Sequence, residues 1–242
     1  MQEDMDGDGN PLRVAQSLSG EVTDEPHGNE MTFDYLDMIE RLQHSLDIPN
    51  IKKLCEYFNM TSSLGKIKAS DNPQHHFLLE CRRKCIITRK DTTKLLQAFR
   101  ETGLSNLQRI IKDYNQISNC PDVHVMVNND NPTSAFSKFK TFMLSKKRAI
   151  KSVFTRDKGI HFVDFQESSL VICLKVSSVE ELDKLKEYIE SGELLRRLMA
   201  GYESEISDTE RKDFQSESSS IKLCYDTEEF DNAKQQLTTN SK

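Results

Sequence analysis

Residues 167–199, ESSLVICLKVSSVEELDKLKEYIESGELLRRLM, change their rhythm midway. Leu170, Ile172, Leu174 and Val176 alternate with Val171, Cys173, Lys175 and Ser177, the period of a strand whose successive side chains point to opposite faces. Beyond Ser178 the apolar residues Leu182, Leu185, Ile189, Leu195 and Leu198 recur at helical spacing. Ser178 with Glu181 reads as a capping box that starts this helix, and Ser191-Gly192 as a break within it. The stretch predicts a strand that passes directly into a helix.

The flanking sequence extends this pattern in both directions. Upstream lie a strand at Val123 to Val127, a helix capped by Asn131-Pro132 that carries Phe136, Phe139, Phe142 and Met143, and a strand at Ile160 to Phe165. Downstream, residues 203–219 are rich in serine and acids and read as a loop, Ile221 to Tyr225 as a last strand, and 231–242 as a tail. The order β-α-β-β-α-β predicts a ferredoxin-like α+β sandwich over residues 123–230, with two helices on one face of an antiparallel sheet.

The first half of the chain contains no comparable strand. Residues 31–116 read as six short helices, carrying Tyr35, Met38, Leu42 and Leu46, then Ile51, Leu54, Cys55 and Phe58, then a short turn at Lys66 to Ala69. Asn72-Pro73 opens the helix with Phe77, Leu78, Cys81 and Cys85. Thr88 with Asp91 and Ser105 with Gln108 resemble capping boxes for the last two helices, and Gly103 suits the left-handed residue between them. Short helices joined by brief loops predict an all-α six-helix bundle, joined to the α+β half by a linker at 117–122. Residues 1–30 hold eight acids against the single base Arg13 and predict a disordered acidic tail. Its Asp4 to Gly9 run imitates the start of a calcium loop, but the closing position is Ala15 and Pro11 interrupts it.

Composition narrows the function classes. No apolar run approaches the roughly 20 residues that span a bilayer, and the acidic start is unlike a secretory signal, so a cytoplasmic chain is expected. The six cysteines form no Cys-x-x-Cys pair and read as reduced thiols. Cys81 and Cys85 with His75 and His76 lack the second thiolate pair of a structural zinc site. None of the nucleophile-elbow, P-loop, zinc-protease or caspase motifs occurs, so neither enzymatic activity nor a cofactor or metal is expected.

Two family resemblances follow. Ile51-Lys-Lys-Leu54-Cys55, the Phe77-Leu-Leu-Glu helix and Leu95-Leu-Gln-Ala-Phe-Arg-Glu-Thr-Gly-Leu-Ser-Asn-Leu107 resemble a death effector domain of the death-fold superfamily. Ser168-Ser-Leu-Val-Ile, Leu185-Lys-Glu-Tyr188 and Ser191-Gly-Glu-Leu-Leu-Arg-Arg-Leu198 resemble the N-terminal domain of the TNF-receptor-associated death domain (TRADD) adaptor family. Together they imply a cytosolic, non-catalytic adaptor in apoptotic or innate-immune signalling. Its bundle would bind death-fold proteins of the adaptor or initiator-caspase type, and its α/β domain a downstream signalling factor. The resemblance places the bundle's contact surface at Leu54, Glu56, Arg82, Arg83, Lys84 and Asn106. Where the family carries Arg-x-Asp-Leu, this chain has Leu104-Ser-Asn106-Leu107, which leaves Glu56 without its family partner.

An alternative reading makes the ferredoxin-like half an RNA-binding module. Lys158-Gly-Ile-His-Phe-Val-Asp-Phe165 matches much of an RNP1 signature, with Lys158, His161 and Phe162 as contacts. Lys138, Lys140, Lys146, Lys147, Arg148 and Lys151 would attract phosphates. Against it, Ile160 stands where a stacking ring is expected, and the segment lies in the second strand rather than the third.

Overall fold

The computed structural model describes residues 31–129, 133–154, 159–166 and 170–240. The acidic segment 1–30 with its calcium-loop imitation, the Asn131-Pro132 cap and Lys158 lie outside the described residues. Residues 31–240 belong to one compact unit.

Six helices come first: α1 (Phe33–Ser45), α2 (Ile48–Tyr57), α3 (Thr61–Lys68), α4 (Pro73–Arg83), α5 (Thr93–Glu101) and α6 (Ser105–Ser118). Local chemistry sets several of their ends. Asp47 accepts the Asn50 N–H at 2.7 Å ahead of α2, and Asn72 accepts that of His75 at 3.1 Å ahead of α4. Gly103, at φ 76°, takes the left-handed position after α5. Two expected caps do not form. The Thr88 hydroxyl accepts the Asp91 N–H at 3.0 Å and closes a turn before α5, while Ser105 is the first residue of α6 rather than its cap. The bundle has its own core, which includes Tyr35, Met38, Leu42, Ile51, Phe77 and Phe99.

The α+β half contains β1 (Asp122–Asn129), α7 (Ser134–Ser145), α8 (Lys147–Phe154), β2 (Ile160–Gln166), β3 (Val171–Val176), α9 (Val179–Glu190), α10 (Glu193–Glu203), α11 (Asp208–Glu217), β4 (Ile221–Tyr225) and α12 (Thr227–Asn240). The strands form one sheet in the order β2-β3-β1-β4, with every neighbouring pair antiparallel. Val125 of β1 sits between Ile172 of β3 and Tyr225 of β4. Leu170, Ile172, Leu174 and Val176 all point into the second core, as their alternation predicts. Leu170 itself precedes the strand at φ 44°, a left-handed conformation that is costly for a branched side chain.

Several segments differ from the sequence-based expectation: the expected turn at Lys66 to Ala69 is the end of the longer helix α3, and α8 is a separate helix after α7. Residues 208–217 are a helix rather than a loop, since Ser207 and Glu210 exchange the two bonds of a capping box. Phe214 on that helix is buried 5.6 Å from the Phe139 ring and 4.8 Å from Tyr202. The expected tail from 231 is the greater part of α12, which buries Phe230, Ala233 and Leu237 in the same core as the sheet.

The expected linker is a packed corner. Pro121 is buried, and the Lys175 ammonium donates to the Cys120 carbonyl at 2.8 Å while pairing with Asp122 at 3.1 Å. Helix α1 also meets β2 directly. The Phe33 ring lies 5.6 Å from Phe162, and the Phe33 N–H donates to the Asp164 carboxylate at 3.0 Å.

Candidate functional site

Helix α4 gathers the basic run predicted to meet a partner. Its inward face carries Phe77, Leu78 and Cys81, which leaves Leu79, Arg83 and the capping Lys84 outward. Cations at this end also favour the helix dipole. The three bases are not equivalent. Arg82 is half-buried, with its guanidinium 2.9 Å from the Met31 sulfur; Arg83 pairs with Glu80 at 3.2 Å; Lys84 is exposed.

The remaining contact residues are dispersed. Glu56 is exposed on α2, 3.9 Å from Lys52, and Asn106 is exposed in the first turn of α6. Such an exposed ion pair contributes about 0–1 kcal/mol. Leu54 does not belong to the surface: it is 0 % exposed. Its spacing from Ile51 and Cys55 places all three on the inward stripe of α2, so the expectation that it touches a partner is corrected.

The helical half also carries large apolar side chains in solvent. Met31, Leu36, Ile48 and Leu79 are 44, 40, 36 and 38 % exposed. Leu79 is one turn before Arg82 and Arg83, and Arg82 touches Met31, so the apolar and basic groups of α4 and the entry to α1 share one surface.

The nucleic-acid expectation meets different surroundings. Phe162 is 3 % exposed, with Phe33, Phe154 and Phe165 centroids at 5.6, 6.2 and 5.0 Å, so its ring packs into the core and cannot stack on a base. His161 is half-buried; burial first and the Lys151 charge second hold its pKa below the usual value near 6.5. Gly159 has a packing reason to be glycine. A Cβ there would lie 2.5 Å from Glu181 Cγ and 2.6 Å from Ser177 Oγ, at the start of α9.

The basic side chains around α7 and α8 are largely neutralised from within the chain. Lys138 pairs with Glu210 at 3.3 Å, Lys146 with Glu205 at 3.3 Å, Lys147 with Asp164 at 2.7 Å, and Lys151 with Asp37 at 2.8 Å. Arg148 pairs with Glu40. Sequence reading missed these acids because they lie far away along the chain. Asp37 and Glu40 stand one turn apart on α1, as Arg148 and Lys151 do on α8, but nothing along the chain says that these two faces meet.

The thiols offer no shared site. Cys55 and Cys81 are buried, with burial the main cause pushing each thiol's pKa up, whereas Cys85 is exposed beyond the end of α4. Burial likewise pushes Cys173 up to about 11. Among the described residues, no three His, Cys, Asp or Glu side chains converge as metal ligands. No helix among them is long and apolar enough to cross a membrane. No known family profile, curated protein or solved structure matches this chain.

Proposed function

We propose that this chain is a non-catalytic cytoplasmic adaptor in apoptotic or innate-immune signalling. Its helical half acts as a death-fold module, and residues 122–240 as a ferredoxin-like module similar to the TRADD N-terminal domain. The observation that carries the reading is the mixed surface of the helical half. Exposed Met31 and Leu79 lie with Arg83 and Lys84 on that surface, where apolar contact supplies affinity and charge complementarity sets register. Six helices in the first half, and a strand order in which each crossover skips one strand of an antiparallel sheet, support the two module assignments.

The partner best suited to α4 is another helical domain with an acidic face. Because the α/β half is packed against α1 and pinned through Lys175, the chain would present its two partners in a fixed relative orientation rather than on a loose tether.

Arg83→Glu with Lys84→Glu in the full chain is the direct test, since neither residue supports the core. Expected is loss of self-assembly and of death-fold co-precipitation, by about tenfold or more in affinity, with the circular dichroism spectrum and melting temperature unchanged. Unaltered assembly and co-precipitation would remove α4 as the contact surface.

A further inference from the structure

Where the helical half meets the sheet, the two surfaces leave a cleft of about 220 Å³, walled by α1 and α6 on one side and by α8 and β2 on the other. Well-packed protein contains few voids larger than a water molecule, whose share of liquid volume is about 30 Å³. At several times that volume and open to solvent, this space is a surface cleft that the two halves leave between them rather than an internal packing void. It is also smaller than the roughly 300–1,000 Å³ clefts that hold drug-sized ligands, which restricts an occupant to fragment size.

The walls specify the occupant's chemistry. Met38, Phe154, Ile160 and Phe162 are buried apolar groups on the lining. Tyr114 adds an aromatic ring, while its hydroxyl is committed to the Arg89 carbonyl at 2.9 Å. Two basic groups at the cleft are already matched by carboxylates, Lys151 by Asp37 at 2.8 Å and Arg41 by Asp113 at 3.2 Å. Asp34 is different. One of its oxygens accepts the Tyr35 N–H at 2.8 Å, and no described residue supplies it with a cation. Its charge is felt at Tyr114, whose pKa is pushed up to about 12 by burial first and by Asp34 second. The His161 ring also lines the cleft, with no hydrogen-bond partner among the described residues. Kept neutral by burial and by Lys151, it offers one donor and one acceptor.

We infer that this cleft binds a small organic monocation, an amine on a flat apolar body, with the ammonium on Asp34 and the body against the half-buried side chains of Ile117 and His161, over the buried floor of Phe154 and Ile160. An anion is disfavoured because both bases are occupied and Asp34 repels it. A neutral apolar molecule would fill the walls but supply no counter-charge to the Asp34 carboxylate. A bound amine would touch both halves at once and hold their junction closed. The inference does not depend on the adaptor reading.

The test uses the full chain with tyramine as probe, 4-ethylphenol as its uncharged counterpart and 3-(4-hydroxyphenyl)propanoate as the anion, followed by calorimetry and amide NMR shifts. Expected is tyramine binding about tenfold tighter than 4-ethylphenol, the scale of one charge-assisted hydrogen bond, with no detectable binding of the anion. Amide shifts should appear at Asp34 and Met38 from one half and at Ile160 and His161 from the other. Asp34→Asn should bring tyramine down to the affinity of 4-ethylphenol. Ile117→Phe, which enlarges a lining side chain and leaves Asp34 in place, should weaken both probes together. Absence of tyramine binding at millimolar concentration, equal affinity for tyramine and 4-ethylphenol, an Asp34→Asn chain that keeps the preference, or shifts confined to one half would each overturn the assignment.

Discussion

Leu54 and Phe162 show how little a motif says about a residue's exposure. Both stand in motifs that would put them in contact with a partner, and both are in a core, because the neighbours that bury them come from other elements. Backbone conformation at a single residue is similarly set by context. Cys85 has φ 51° just beyond α4, a position that glycine occupies without a Cβ clash. Cys85→Gly is expected to raise stability by about 1 kcal/mol, read as a shift of the urea midpoint with an unchanged slope. A lower midpoint would show that the exposed thiol makes a contact worth more than the relief of strain. His161 gives a pH prediction. Its folded pKa is depressed, so folding favours the neutral ring, and the stability it contributes is present above about 6.5 and lost as the pH falls below that. His161→Gln should therefore flatten the decline of melting temperature on the acid side of about 6.5. An equally steep decline in the variant would assign the effect to other groups.

At the scale of elements, α11 is the informative case. Its sequence, DTERKDFQSE, is strongly polar and reads as a loop, yet the signals that form it are present: a Ser207 to Glu210 capping box and Phe214 about one turn beyond Glu210. Neither signal suffices alone, because an isolated helix of this length is marginal in water and needs tertiary packing. Phe139 and Tyr202 supply that packing. Phe214→Ala is expected to cost about 3–5 kcal/mol and to release α11 from protection in hydrogen exchange, whereas Ser207→Ala should cost about 1 kcal/mol. If the two variants were equally mild, α11 would be held by its cap rather than by its ring. Helix α12 follows the same logic. Phe230, Ala233 and Leu237 recur at helical spacing, but the pattern becomes a helix with a purpose only against the apolar face that it covers.

At the scale of the whole molecule, the question is what joins the two cores. The junction offers several ion pairs and one aromatic contact, and magnitudes distinguish them. The exposed Arg148 to Glu40 pair should contribute about 0–1 kcal/mol, so Arg148→Ala is expected to leave the melting temperature nearly unchanged. Phe33 packs on Phe162 from the first turn of α1, and Phe33→Ala is expected to cost about 2–4 kcal/mol and to raise amide exchange in α1 and β2 together. Exchange rising in α1 alone would mean that the halves are held by the corner at Lys175 instead. Much of this fold is legible in the sequence, including the six-helix first half, the strand-to-helix switch at Ser178, the caps at Asn72 and Ser178 and the alternation of Leu170 to Val176. Those features are local, set by periodicity and by bonds between residues a turn apart. Only the tertiary structure decided that the linker is a packed corner, that the bases of α7 and α8 face acids from α1, β2 and the α10–α11 region, and that a charged, apolar-walled cleft lies between the halves. Each of those depends on groups tens of residues apart along the chain, and the chain's own pattern holds no term for which surface will meet which.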